Sequence, residues 1–232
     1  MSVTQTRTES GAATACWSCG AVSAGAHFCP ACGKIQPLPR GTSYFAFFGL
    51  PEKLQIDFED LEQQFHKLSW KLHPDNFMRA GEFERNLSLE RSSELNDAYR
   101  ALRDPLTRVE YLLAHKGMRK EGAAKQQAPP ELLEEVFELN ESLDELRAAR
   151  AAGEDLAALR ARLESAEKDF QDKLEEVDAE LDRVRSEWDA ALAATGGKEA
   201  EEKLMAKMNE ILNRRSYIRN LVANVAKELA DA

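Results

Sequence analysis

At 232 residues, with 43% hydrophobic and 31% charged side chains, the chain can form one large or two small cores and has the composition of a soluble protein. No apolar run approaches the roughly 20 residues of a membrane-spanning helix, so no membrane role is expected; the stretch before Cys16 has one basic residue, Arg7, an acidic Glu9 and no apolar segment, unlike a secretory signal or transit peptide. The net charge of -10 lies mostly downstream, where residues 121–232 carry 27 acidic against 16 basic side chains, a surface that repels phosphate backbones and argues against nucleic acid as a partner.

Residues 1–15 are rich in Ser, Thr, Gly and Ala, with little to bury, and are predicted to be disordered. Cys16-Trp17-Ser18-Cys19-Gly20 follows, then Cys29-Pro30-Ala31-Cys32-Gly33, and the rest of the chain has no cysteine. Two close pairs and none elsewhere point to a reducing compartment and a metal site. A two-residue gap lets both thiolates of a pair turn onto one ion, and the following glycine allows the bend that aims amides at sulfur. Four thiolates satisfy tetrahedral zinc without an open position, so Cys16, Cys19, Cys29 and Cys32 are expected to hold a structural Zn²⁺ over residues 16–36, ahead of an iron–sulfur cluster or a redox dithiol pair. Trp17, His27 and Phe28 are expected to pack around this small module.

Pro37, Pro39 and Gly41 mark a linker. Tyr44 to Pro51 is an aromatic cluster, a short helix at most, expected to lie across the helices that follow and close their core. Asp57 is placed to cap a helix from Phe58, and Leu61, Phe65, Leu68 and Leu72 fall four, three and four apart on one of its faces. Pro74 stops that helix, because proline lacks the amide hydrogen and pushes His73 toward extended angles. Phe83, Leu87, Leu95, Ala98, Tyr99 and Leu102 restart a helix, which makes His73-Pro74-Asp75 the tip of a helical hairpin. Taken alone, the tripeptide favours the plainer reading, with Pro74 as punctuation and Asp75 as a local turn former or cap, over a recognition tip. No nucleophile lies nearby in sequence, and His66 is about 10 Å along the helix from His73, too far to share a metal ion. Asp104-Pro105 ends the second helix, a third runs from Leu106 to about Lys116, and Gly117 to Pro130 reads as a second linker.

Beyond Pro130 the pattern is helical throughout. Leu132 to Leu146 forms one helix with Gly153 as its break; Leu156 to Leu192 keeps steps of three and four over roughly 55–60 Å and ends at Gly196-Gly197; Leu204 to Leu229 repeats the spacing with Arg215 in its seam. Three antiparallel helices with short connections make an elongated bundle. Its first helix is wider than one stripe, with Leu133 and Phe137 beside Leu132, Val136 and Leu143.

Tyr44-Phe45, Gly49-Leu50-Pro51, His73-Pro74-Asp75-Asn76-Phe77, Asn96-Asp97-Ala98-Tyr99 and Asp104-Pro105-Leu106-Thr107-Arg108-Val109-Glu110-Tyr111-Leu112-Leu113 resemble, in order and spacing, the J-domain of HscB-type iron–sulfur cluster co-chaperones. The resemblance runs from about Ser43 to the C-terminus, and the paired cysteines resemble an extension found on some members, chiefly eukaryotic ones. It implies a mostly α protein: a zinc module at 16–36, a J-domain at 43–118 and a three-helix bundle at 130–232. It further implies a chain without catalytic activity of its own, which binds an IscU-type scaffold and delivers it to a DnaK-type chaperone whose ATPase it stimulates. Carried over by position, His73, Pro74 and Asp75 contact the ATPase with Lys67 and Lys71 on the same helical face; Glu59, Asp60 and Glu62 make that face less basic than in many J-proteins. Leu133, Phe137, Glu138 and Glu141 bind the scaffold, while the last helix offers no secure alignment. The competing readings are a non-catalytic zinc-containing coiled-coil adaptor, in which the His73 loop is only a turn, and a zinc-ribbon nucleic-acid protein, which the acidic helices disfavour. The leader composition favours a bacterial cytoplasm over a mitochondrial matrix.

Overall fold

Asp57 sets where the first long helix begins: its Oδ1 accepts from the amides of Glu59 (2.9 Å) and Asp60 (3.2 Å), two of the donors a helix start leaves unpaired. In the computed structural model, which describes residues 15–23, 25–119, 129–194 and 197–231, helix α2 runs from there over Phe58–Leu72. It is preceded by α1 (Tyr44–Phe47), capped by the Ser43 hydroxyl, and followed by a 3-10 turn at Pro74–Phe77 and by α3 (Glu82–Arg103). Of the stretch expected to be disordered, residues 1–14 lie outside the described residues, as does most of the 117–130 linker, while Ala15 is bridged to Val22.

Asp104-Pro105 works as cap and starter. The Asp104 Oδ1 accepts from the amides of Leu106 (3.0 Å) and Thr107 (2.8 Å), and Pro105, with no amide hydrogen to lose, opens α4 (Pro105–His115). Later come a 3-10 turn (Pro130–Leu132), α5 (Leu133–Ala152), α6 (Ala157–Ala193) and α7 (Lys198–Ala230). Gly153 closes α5 in the left-handed region at φ 70°, as its place after the last apolar turn predicts. Helix α7 starts six residues before the apolar stripe does, at Lys198, with acidic Glu199 and Glu201 in its first turn. No β-strand occurs among the described residues, only isolated bridges at Ala15–Val22 and Phe28–Ile35 in the cysteine module.

The chain divides into two compact units, residues 1–111 and 112–232. In the first, Leu61 and Leu72 of α2 are buried with Leu87, Leu95, Ala98 and Leu102 of α3, and Phe65 stacks on Tyr99 at 4.2 Å between centroids. Helix α1 closes this core: Phe45 and Phe47 are buried, and Tyr44 stacks on Tyr111 of α4 while its amide donates to the Tyr111 hydroxyl at 2.7 Å. In the second unit, Leu163, Phe170, Val177, Leu181, Val184 and Trp188 of α6 are buried with Met208, Ile211, Ile218 and Val225 of α7, and Leu139, Leu143 and Leu146 of α5 complete the core. The 37 residues of α6 span about 55 Å. Arg215 is not a flaw in this seam, because it meets Asp178 of α6 through Nε (2.5 Å) and Nη2 (3.1 Å).

The cysteine module packs against the hairpin. Trp17 stacks edge-on against Phe83 of α3 (4.8 Å), His27 against Phe47 of α1 (4.5 Å), and Lys34 Nζ pairs with the buried Glu84 carboxylate at 2.7 Å. Trp17 and His27 therefore do more than fill the module: Trp17 donates to the Ile35 carbonyl inside it while its ring faces outward onto α3.

Candidate functional site

The first candidate is the tip of the α2–α3 hairpin. His73 ends α2 at φ -56°, ψ 130°, the extended geometry that a following proline imposes. Its Nδ1 accepts from the Asp75 amide at 3.3 Å and lies 3.5 Å from Asp75 Oδ2, so the two side chains face each other across the turn and both are exposed. Lys67 and Lys71 are exposed on α2, as is His66. Between the lysines stands Trp70, 79% exposed, with Met78 exposed just past the turn. Periodicity does not single out Trp70, although a tryptophan off the Leu61–Leu72 stripe is a signal the sequence offers. A large apolar side chain left in water beside paired charges is typical of an interaction surface.

The second candidate lies on α5. Leu132, Val136, Leu139 and Leu143 are buried, whereas Leu133 and Phe137 are 55% and 71% exposed, and Glu138 and Glu141 are exposed with them. Leu133, Phe137 and Glu141 follow one another at four-residue steps, which places them along one outer line of the helix. Glu138, one residue on, lines a cleft of about 760 Å³ between α5 and α6 with Ser142, Arg162 and Lys173. On α7, Arg214 pairs with Glu180 of α6 and approaches Glu131 at 3.6 Å, which brings the middle of α7 beside the start of α5.

The third is the cysteine cluster. All four Sγ atoms lie within 4.8 Å of one another, with Cys16–Cys32 at 3.6 Å and Cys19–Cys29 at 3.7 Å. A tetrahedral ion with metal–sulfur bonds of about 2.3 Å needs sulfur–sulfur edges of about 3.8 Å, so the donor set fits a metal ion. The Ser18 amide points at Cys16 Sγ (3.4 Å), and Gly20 and Gly33 sit at φ 75° and 72°, closing each knuckle in the left-handed region that glycine adopts without strain. Burial raises the Cys16 thiol, but the amides of Cys19 and Ser18 and the neighbouring thiols outweigh it and hold it down at about 6. The Ala21 amide lowers Cys19, but Cys32, burial, Cys16 and Cys29 push it up to about 12. Four thiols this close do not all ionise without a cation.

No protein-family model matches the chain. A co-chaperone protein HscB homolog of Vibrio vulnificus strain YJ016 is 34% identical over 170 residues, covering 73% of this chain and 94% of that protein. The homolog from Vibrio cholerae strain O395 is 34% identical over 149 residues, 64% of this chain and 84% of its own length. The crystal structure of human co-chaperone protein HscB aligns with a TM-score of 0.60 at 24% identity over 93% of this chain and 98% of that one, a likeness of fold. With a helical hairpin, a three-helix bundle and a relative matched over nearly its full length, the chain belongs to the HscB family of co-chaperones, regulators that are not themselves enzymes.

Proposed function

We propose that this chain is a co-chaperone of iron–sulfur cluster assembly that presents His73, Pro74 and Asp75 to a DnaK-type ATPase chaperone and its α5 surface to an IscU-type scaffold. The observation that carries the reading is the hairpin tip: an imidazole and a carboxylate turned toward each other in water, flanked by Lys67, Trp70 and Lys71, with no catalytic partner in sequence. A charge-assisted contact from Asp75 to a partner arginine is worth about 1.5–3 kcal/mol, enough to matter in a transient complex. The two lysines suit an acidic patch on the chaperone and Trp70 an apolar recess within it. Steady-state ATPase of a purified DnaK-type chaperone is expected to rise with the wild-type chain and to stay at its basal rate with His73→Gln, whose exposed side chain leaves the helical circular dichroism unchanged. Equal stimulation by both proteins would exclude the tip as the contact; stimulation by neither is what a coiled-coil adaptor gives.

On α5, Leu133 and Phe137 form the apolar centre of the scaffold surface and Glu138 and Glu141 its acidic border, with α7 around Arg214 alongside. Phe137→Ala is expected to weaken scaffold binding at least tenfold in calorimetry with an unchanged melting temperature, since an exposed aromatic contributes to an interface and little to the core. Lost stability with intact affinity would return Phe137 to a packing role. The tetracysteine module holds a structural zinc ion, the metal that four thiolates in closed tetrahedral geometry favour, and the family's bacterial relatives are consistent with a cytoplasmic setting.

A further inference from the structure

Pro74 creates a problem at the end of α2 that other side chains solve. In an uninterrupted helix the Trp70 carbonyl would accept from the amide of residue 74 and the Leu72 carbonyl from that of residue 76. Pro74 has no amide hydrogen, and the Asn76 amide bonds instead to the His73 carbonyl at 3.0 Å to make the 3-10 turn. Both orphaned carbonyls are satisfied from elsewhere. The Asn76 side-chain Nδ2 donates to the Trp70 carbonyl at 2.6 Å, replacing the hydrogen that proline removed. From α3, the hydroxyls of Ser88 and Ser92 both donate to the Leu72 carbonyl, at 2.7 and 2.9 Å.

Ser88 and Ser92 are one turn apart, so they occupy the same face of α3 and grip one oxygen through its two lone pairs. A serine inside a helix ordinarily bonds back to the carbonyl four residues earlier or faces water. Here Ser88 is fully buried and Ser92 half-buried, and both reach across to the neighbouring helix. The oxygen they hold belongs to the residue immediately before His73. We infer that Ser88 and Ser92, with Asn76, are positioning residues for the His73-Pro74-Asp75 tip: they fix the last peptide of α2 and thereby aim the imidazole and carboxylate at the chaperone. This inference rests on the reading of the tip given above.

The arrangement has a signature, because two donors share one acceptor. Ser88→Ala and Ser92→Ala each leave the Leu72 carbonyl paired, so each single variant is expected to stimulate a DnaK-type chaperone's ATPase within twofold of wild type. The double variant orphans the carbonyl and is expected to lose at least fivefold, more than the product of the single effects. Ser88→Ala combined with Ser92→Thr keeps one hydroxyl and is expected to recover wild-type stimulation. Amide exchange at Asp75 and Asn76 is expected to accelerate in the double variant at a temperature where its circular dichroism matches wild type. Multiplicative losses, no recovery by threonine, or unchanged exchange at the tip would each overturn the inference. His73→Gln is run alongside. If it abolishes stimulation while the double variant does not, the clamp is wrong and the tip stands; if His73→Gln stimulates normally, both fail together.

Discussion

Arg108→Ala is expected to destabilise the first unit by about 3–5 kcal/mol, enough to unfold much of it at 37 °C, while the α6–α7 pairing keeps its helical signal. Arg108 is 3% exposed, and its guanidinium donates through Nε to the Leu102 carbonyl and through Nη1 to the Leu54 carbonyl, each at 2.6 Å. Those two oxygens belong to the end of α3 and to the segment between α1 and α2, so one side chain ties three parts of the chain together. Truncation removes the donors, leaves both carbonyls buried and opens a cavity. Arg108→Lys is expected to recover only part of the loss, since one ammonium does not reproduce the planar fork that meets two oxygens. Urea unfolding followed by circular dichroism measures this. Arg100→Ala, on the exposed face of α3 beside Asp97, is the control and is expected to change stability by less than about 0.5 kcal/mol. A loss no larger than the control's would mean that Arg108 is dispensable to the core.

Metal withdrawal is expected to have a larger effect, confined to the cysteine module and its contacts. A segment of about twenty residues buries too little to fold unaided, and structural zinc typically contributes about 10–16 kcal/mol of apparent binding free energy. Chelation is therefore expected to release the protected amides of the module, Cys16 bonded to Ala21, Cys29 to Lys34 and Gln36 to His27, without altering exchange in α6 and α7. The loss should spread to the start of α3, because Lys34 leaves the buried Glu84 and Trp17 leaves Phe83. The pH dependence has a definite sign. With Cys19 pushed up to about 12, the metal-free module carries protons at neutral pH that the ion must displace, so affinity falls as pH falls and binding releases protons. Hydrogen exchange with and without chelator, and calorimetry in buffers of different ionisation enthalpy, test both parts. Unchanged protection after the metal is removed would show that the module folds without it.

Helix boundaries were legible wherever one residue decides them by its own chemistry. Asp57 caps α2, Pro74 stops it, Asp104-Pro105 restarts the chain and Gly153 ends α5, each by a local effect on backbone donors or angles. The two faces of α5 were legible as well, since the surplus Leu133 and Phe137 are the residues left outside the core. What stayed hidden were partners far apart in sequence. Periodicity assigns Ser88 and Ser92 to a helix and says nothing of the carbonyl at Leu72; it places Arg108 on α4 and does not reveal Leu54. A hint existed in Arg108, which lies one turn before Leu112 on an apolar face, a position where a charge survives only with buried acceptors. The docking of the cysteine module was hidden for the same reason, because Pro37 and Pro39 read as a spacer although the residues on both sides of them meet.

The charged pairs across α6 and α7 bear on how the bundle avoids folding incorrectly. A stripe of leucines and valines at steps of three and four is nearly self-similar, so sliding one helix along the other by seven residues, about 10.5 Å, would bring many of the same side chains back together. In the native register Arg215 meets Asp178 and Arg214 meets Glu180. A slide one way would set Arg215 against Arg185, and a slide the other way would set Arg214 against Lys173. The arginine pair thus counts residues where the hydrophobic stripe cannot, and a seven-residue slip in either direction carries a like-charge contact that the native register lacks.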